Sequence, residues 1–115
     1  MVNPVLTAQE VVALQQQVRQ VAVAPRVKEY ITALIEATRT HAAIALGASP
    51  RAAVDLQRAS QAWAALHSRD FVTPDDVKAT AIAVLSHRLV LVAPGAGPNA
   101  TALLDELLHQ VSVPL

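Results

Sequence analysis

Prolines at helix-start positions are the feature that most restricts the fold of this chain. Pro50 follows Ser49 and Pro74 follows Thr73, so each proline comes directly after a residue preferred at the N-terminal cap of a helix. Proline suits the first helical position because the N–H group that it lacks would have no partner within the helix. Pro25 favours a helix start in the same way. The prolines therefore predict separate helices that begin at residues 25, 50 and 74.

The spacing of apolar residues predicts further helices, so the expected fold is all-α. Thr7 and Glu10 have the spacing of a capping box, and apolar residues then recur at helical intervals as far as Val21. A breaker segment at residues 93–98 is followed by another helical run that is rich in leucine. The predicted fold is a bundle of four main helices and a short C-terminal helix, with approximate bounds of 8–20, 25–40, 50–67, 74–89 and 101–109.

The third helix is expected to be the longest and most central element of the bundle. Its apolar residues recur at intervals of four and three, which predicts a stripe that faces the core. The stripe consists of Ala52, Leu56, Ala59, Trp63 and Leu66. Two short β-prone pieces, residues 21–23 and 71–72, could pair as a minimal two-stranded ribbon supported by the helices.

The charge and residue composition excludes several functions. Nine basic residues balance nine acidic ones, so the chain lacks the positive surface expected of a protein that binds nucleic acid or an anionic membrane. The absence of cysteine rules out disulfides and thiolate chemistry. No apolar run approaches the roughly 20 residues of a membrane span, and the first residues do not resemble a signal peptide. We therefore expect a cytoplasmic protein.

The motifs of a self-sufficient nucleotide hydrolase are missing from these 115 residues. A phosphate-binding loop needs two glycines and a lysine in fixed register, and the few glycines and lysines here do not have that spacing. Asp75 and Asp76 suit the first turn of the fourth helix, which explains them without a catalytic role. The histidines are scattered, so no metal site is expected. The chain alone is not expected to be an enzyme or to bind a cofactor.

Arg51 is the strongest candidate for a functional residue. It lies in the first turn of the third helix, beside the predicted stripe, where free backbone N–H groups and the helix dipole favour an anion. Ser49 and Pro50 would fix the start of this helix and therefore the direction in which Arg51 points. Asp55 stands four residues further on and could instead hold Arg51 in an ordinary surface ion pair. The spacing alone favours the ion pair.

Four segments of the chain form a recognisable pattern in order and register. They are Thr38-Arg39, Gly47-Ala48-Ser49-Pro50-Arg51-Ala52, Ser68-Arg69-Asp70-Phe71-Val72-Thr73-Pro74-Asp75-Asp76-Val77 and His87-Arg88-Leu89. From about residue 21 to its end, the chain resembles the C-terminal lid of MoxR-type AAA+ ATPases. The resemblance implies that Arg51 is the second-sensor residue, which reads the terminal phosphate of the nucleotide and couples it to the position of the lid. Arg88 is a secondary candidate for a contact at the nucleotide or the subunit interface.

One position departs from the pattern, since this family usually has a glycine where Ser68 stands before Arg69. The departure affects a turn and leaves the proposed site unchanged.

The resemblance also has implications for the intact protein. Residues 1–115 would form a single AAA+ lid domain with a ragged start at residues 1–6, and an upstream ATPase core would bind ATP and Mg²⁺. Neighbouring subunits would assemble into a ring of about six, in keeping with the closed symmetry of most oligomers. The ring would remodel or mature partner proteins, often together with von Willebrand factor A domain proteins. The sequence leaves open whether Arg51 serves its own subunit or a neighbour.

Two functions of other classes are alternatives to the lid. A free-standing helical interaction module would bind a partner helix in an exposed groove. A helix-turn-helix DNA binder would use the third and fourth helices, but the neutral net charge and the acidic start of the fourth helix argue against it. The sequence therefore favours the lid, with the interaction module as the alternative.

Overall fold

Five α-helices make up most of the computed structural model, which describes residues 7–114. In chain order they are α1 (Ala8–Gln20), α2 (Pro25–Thr40), α3 (Pro50–Leu66), α4 (Pro74–Leu85) and α5 (Ala100–Gln110). Two short strands, β1 (Ile44–Leu46) and β2 (Val90–Leu91), and a 3-10 turn (Ser86–Arg88) lie between them. The predicted bundle of four main helices and a short last helix is confirmed. The predicted ragged start at residues 1–6 lies outside the described residues.

Local capping chemistry sets the start of α4. The hydroxyl of Thr73 accepts a hydrogen bond from the backbone N–H of Asp76 at 3.3 Å, and the Asp76 carboxylate accepts one from the N–H of Thr73 at 2.7 Å. This reciprocal pair satisfies two backbone donors that would otherwise lack partners. Val72 and Val77, both buried, flank the cap in the positions of a hydrophobic staple. The helix start predicted from this segment is confirmed.

The carboxylate of Asp76 is buried and paired with Arg69. Both terminal guanidinium nitrogens of Arg69 donate to the carboxylate oxygens, at 2.5 Å each. Burial acts to raise the pKa of Asp76, but the hydrogen bonds from Arg69 and Thr73 outweigh it and hold the pKa below its ordinary value. The hydrogen bond between Arg69 and Asp76 also raises the pKa of Arg69. This ion pair joins the turn after α3 to the first turn of α4.

The buried face of α3 is a row of residues spaced four apart. The row consists of Ala52, Leu56, Ser60 and Ala64. The predicted stripe is therefore wrong in its second half, because Trp63 is 38% exposed and Leu66 is 78% exposed. The prediction counted apolar residues only, whereas the true row contains a serine. The indole of Trp63 instead lies against the ring of His67 at the surface, with ring centroids 4.9 Å apart and ring planes tilted by 37°.

Two polar side chains of α3 are buried because each finds hydrogen-bond partners. The hydroxyl of Ser60 donates to the carbonyl of Leu56 at 2.8 Å and lies 3.3 Å from the hydroxyl of Thr80 on α4. The amide nitrogen of Gln61 donates to the carbonyl of Val21 at 2.8 Å. Buried polar groups are tolerated when they are paired in this way. These contacts join α3 to α4 and to the end of α1.

The apolar face of α1 is largely exposed. The helix has its predicted bounds, and the hydroxyl of Thr7 accepts a hydrogen bond from the N–H of Glu10 at 3.1 Å. None of the residues in α1 is buried, and Val11 and Leu14 line an open groove of about 410 Å³ between α1 and α3. Helical spacing therefore predicted this helix but not its exposure. Across residues 7–114, no helix combines the length and apolar character that crossing a membrane requires.

The two-stranded ribbon lies elsewhere than predicted. β1 and β2 pair in antiparallel orientation, with Leu46 opposite Val90. The predicted pairing of residues 21–23 with 71–72 is reduced to a single parallel bridge. β1 and β2 were not predicted because each strand is very short and the two are separated in the chain by α3 and α4. Local patterns contain no signal for a pairing over such a distance.

A left-handed residue ends α3. Ser68 has a φ angle of 58°, and the backbone N–H groups of Ser68 and Arg69 donate to the carbonyls of Ala65 and Ala64 at 3.0 and 2.9 Å. This is the Schellman arrangement, in which glycine is the usual left-handed residue because a Cβ atom is disfavoured there. The glycine expected by family resemblance at this position therefore has a physical reason. Serine fills the position with backbone strain.

Ser68→Gly is expected to raise the free energy of unfolding by about 0.5–1 kcal/mol, because relief of the left-handed strain exceeds the added flexibility of the unfolded chain. Urea denaturation of the 115-residue chain measures the change. Ser68→Ala is the control, since it removes the hydroxyl but keeps the Cβ atom. If alanine stabilised the chain as much as glycine, the backbone angle would not be the cause.

Candidate functional site

The segment that leads into α3 is held against the end of α2. The backbone N–H of Ala48 donates to the buried hydroxyl of Thr38 at 3.0 Å, and that hydroxyl donates to the carbonyl of Ile35 at 2.6 Å. Gly47 lies so close to α2 that a Cβ atom there would be 2.6 Å from the carbonyl oxygen of Thr38 and 2.7 Å from the Cα atom of Arg39. Two of the segments that carry the family resemblance are therefore in direct contact, and this contact sets the path into α3.

Gly47→Ala is expected to lower the free energy of unfolding by about 1–3 kcal/mol, the usual cost of overpacking. The added methyl group would meet backbone atoms of α2, which cannot rotate away as a flexible side chain would. Gly97→Ala is the matched control, because no atom lies within 4 Å of a Cβ at that position. Urea denaturation compares the two variants, and equal stabilities would show that α2 can yield at Gly47.

Ser49 and Pro50 occupy the helix-start positions that the sequence predicts. Ser49 is the extended N-cap residue, its carbonyl accepts a hydrogen bond from the N–H of Ala52 at 2.9 Å, and Pro50 is the first helical residue. The hydroxyl of Ser49 makes no capping hydrogen bond, so the predicted side-chain cap is wrong. The contacts of Gly47 and Ala48 with α2 fix the preceding backbone and make a side-chain cap unnecessary for placing this turn.

Arg51 projects from the first turn of α3 into solvent. Its side chain is 81% exposed, and its Nε atom lies 3.7 Å from a carboxylate oxygen of Asp55. This is the ion pair that the spacing predicted, but it is longer than a hydrogen bond. Within residues 7–114, the guanidinium of Arg51 donates no hydrogen bond, so it is held weakly in its present direction.

Arg88 contacts the same carboxylate from the turn that follows α4. The prediction placed Arg88 in the fourth helix, but α4 ends at Leu85 and Arg88 is the last residue of the 3-10 turn. From there its NH1 atom donates to Asp55 Oδ2 at 2.6 Å. The ribbon joins the neighbouring segments as well, because β2 begins two residues after Arg88 and β1 ends shortly before Ser49. The structure therefore brings both candidate arginines together.

Asp55 is the centre of this three-residue cluster. One carboxylate cannot neutralise two guanidinium groups, so the cluster keeps positive charge beside the N-terminal turn of α3, where the helix dipole adds to it. Arg58, the next arginine of α3, lies apart and donates to the side-chain oxygen of Gln61 at 3.4 Å. The cluster can attract an anion such as a phosphate group.

Three of the four histidines contact residues outside this cluster. His41 lies 3.4 Å from a carboxylate oxygen of Glu106, and His109 lies 3.8 Å from Asp105. His67 lies against Trp63. In the part of the chain that the structure describes, no three side chains of histidine, aspartate or glutamate form a group that could hold a metal ion.

Comparison with known proteins identifies the class to which this fold belongs. The model of the AAA lid domain family matches residues 36–107, a span that contains Arg51, Asp55 and Arg88. The match covers more than half of the chain, and the chain belongs to the AAA lid domain family. This assignment favours the lid over the free-standing interaction module.

The relatives narrow the assignment. The uncharacterized protein YeaC of Bacillus subtilis is 38% identical over 115 residues, which cover 98% of this chain and 36% of YeaC. Protein MoxR of Paracoccus denitrificans is 34% identical over 97 residues, which cover 73% of this chain and 28% of MoxR. The crystal structure of a candidate ATPase from Cytophaga hutchinsonii is 30% identical and has a TM-score of 0.89 over 93% of this chain and 36% of that one.

The chain is thus a lid domain of the MoxR family of AAA+ proteins. It spans about a third of the length of these relatives, which contain further sequence beyond the lid.

Proposed function

We propose that this lid domain is part of an ATPase in which Arg51 is the second-sensor residue and contacts the terminal phosphate of ATP. The observation that carries the proposal is the state of Arg51, which is exposed, charged and weakly held at the start of a well-packed helix. An arginine fork matches the geometry of phosphate oxygens and can bind two of them at once. The helix terminus beneath it adds backbone N–H groups and a favourable dipole.

Packing of α3 would transmit this contact to the rest of the lid. The buried row of α3 lies against the core, and its Ser60 hydroxyl lies 3.3 Å from Thr80 of α4. The other end of α3 continues into the turn that Arg69 holds against α4. A phosphate that attracts Arg51 would therefore displace α3 together with the helices packed on it, and not a flexible loop alone. In this way the lid would move with the nucleotide state.

The remaining functions belong to the longer protein. We propose that a core domain binds ATP and Mg²⁺ and hydrolyses the nucleotide, since the lid has no phosphate-binding loop. Subunits would form a cytoplasmic ring, in which lid movement drives remodelling or maturation of partner proteins, including von Willebrand factor A domain proteins. The balanced charge of the lid argues against nucleic acid or an anionic membrane as its partner.

Steady-state ATP hydrolysis by the full-length protein tests the proposed role of Arg51. The wild type should release phosphate in the presence of Mg²⁺, and Arg51→Ala should lose most of this activity. The isolated lid serves as a blank, because one arginine and one helix terminus cannot replace a phosphate-binding loop. Full activity of the alanine variant would contradict the sensor assignment.

A further inference from the structure

The two ion pairs of Asp55 are unequal. Arg88 donates to Asp55 at 2.6 Å and its side chain is 39% exposed, whereas Arg51 stays at 3.7 Å and is 81% exposed. Asp55 itself is about two-thirds shielded from solvent, with 32% of its side chain exposed. The carboxylate is therefore fixed mainly by Arg88, and Arg51 is the partner that can leave.

We propose that Asp55 is a positioning residue that competes with the terminal phosphate of ATP for the guanidinium of Arg51. A carboxylate and a phosphate group offer similar oxygen pairs to an arginine fork, so the two anions exclude each other at one guanidinium. With no nucleotide, Asp55 directs Arg51 along α3 and restrains it. When the phosphate arrives, Arg51 leaves Asp55 and only the long contact is lost. This inference rests on the proposed role of Arg51.

Arg88 has a different role, because it restrains Asp55, the carboxylate that competes with the phosphate. Its short hydrogen bond keeps the Asp55 carboxylate turned toward the 3-10 turn and away from full contact with Arg51. Pairing of β1 with β2 holds the segments on either side in place. Loss of Arg88 would leave Asp55 free to pair with Arg51 alone. Removal of Asp55 and removal of Arg88 should therefore change nucleotide affinity in opposite directions.

Equilibrium binding to the full-length protein provides the test, with the slowly hydrolysed analogue ATPγS and with ADP as probes, each with Mg²⁺. Asp55→Asn should lower the Kd for ATPγS by about 1.5- to 5-fold, the effect of removing one exposed ion pair. The Kd for ADP should not change, since ADP lacks the γ-phosphate that Arg51 would contact. Asp105→Asn is the matched control, because Asp105 also lies four residues from a basic partner but on α5. It should change neither affinity.

Double variants separate the parts of the mechanism. Arg88→Ala should raise the Kd for ATPγS, and it should have no effect when Asp55 is already asparagine. Persistence of the Arg88→Ala effect in that background would mean that Arg88 contacts the nucleotide itself and would overturn its assigned part. Asp55→Asn should likewise have no effect when Arg51 is alanine.

The failure of this inference can be told apart from failure of the proposed function. If Arg51→Ala leaves ATPγS binding unchanged, the sensor assignment fails and the competition fails with it. Suppose that Arg51→Ala weakens ATPγS binding. If Asp55→Asn then does not tighten ATPγS binding, or tightens ADP binding equally, only the proposed competition is overturned. Thermal unfolding of the isolated Asp55→Asn lid, which should match the wild type, shows whether the fold is intact.

Discussion

Arg51→Ala in the full-length protein is expected to slow ATP hydrolysis by about 10³–10⁵-fold, the range for an arginine that stabilises charge on the transferred phosphoryl group. Arg51→Lys should restore little of the rate, because an ammonium group cannot reproduce the planar fork of a guanidinium. The same alanine variant of the isolated lid should unfold like the wild type, since Arg51 is exposed and makes only a contact of 3.7 Å. Phosphate release and urea denaturation measure the two effects.

Arg58→Ala is the internal control for this prediction. Arg58 has the same charge, lies on the same helix two turns further along and bonds to Gln61 instead of Asp55. Its loss should leave turnover close to that of the wild type. If both alanine variants hydrolyse ATP at the wild-type rate, Arg51 is an ordinary surface residue. If both are inactive, α3 needs positive charge in general, and the specific role of Arg51 is not supported.

Asp76→Ala is expected to lower the free energy of unfolding by about 3 kcal/mol, near the bottom of the range for breaking a buried ion pair. The substitution removes both hydrogen bonds from Arg69 and the one from the N–H of Thr73. Arg69 keeps a partly exposed side chain and can regain water, which is why the lower end of the range applies. Urea denaturation of the isolated lid at neutral pH measures the loss.

The adjacent Asp75 is the control, and pH supplies a second readout. Asp75 is exposed, so Asp75→Ala should remove only a favourable charge at the start of α4, worth about 0.3–1 kcal/mol. The pKa of Asp76 is held below its ordinary value of 3.8, so the unfolded chain takes up protons first as the pH falls. The stability from Asp76 is therefore complete well above pH 3.8 and declines below it. A gap between wild type and Asp76→Ala that widened in acid would contradict this assignment.

The helix starts could be predicted from sequence because their chemistry is local. Thr7, Pro25, Pro50 and Thr73 each act through residues within one helical turn, and the four helices begin where these residues indicate. The left-handed backbone at Ser68 was signalled only by the usual glycine of the family. Short-range preferences of this kind are the same in any fold that contains the segment.

Burial and pairing could not be predicted in the same way because they depend on distant partners. Gln61 is buried because its amide donates to the carbonyl of Val21, and the hydroxyl of Ser60 lies against that of Thr80. Both of these contacts are made by residues that are distant in the sequence. The predicted stripe contained only apolar residues, so it omitted Ser60 and Gln61 and wrongly included Trp63 in the buried face of α3. The contact between Asp55 and Arg88 was missed for the same reason. The sequence could indicate each arginine as a candidate and Asp55 as a partner of Arg51, but not that Arg88 shares this carboxylate.

The ribbon of β1 and β2 has a consequence for the order in which the domain folds. α3 and α4 are joined by a short turn and can pack as soon as both helices exist, whereas the ribbon must close a loop that contains both of them. Contacts between residues distant in sequence generally form late. β1 and β2 should therefore pair after the α3–α4 hairpin has formed, and fluctuations of the folded lid should separate the two strands first. The ribbon then belongs to the part of the domain that opens most readily, whereas Arg51 and Asp55 lie on α3, within the hairpin that forms first.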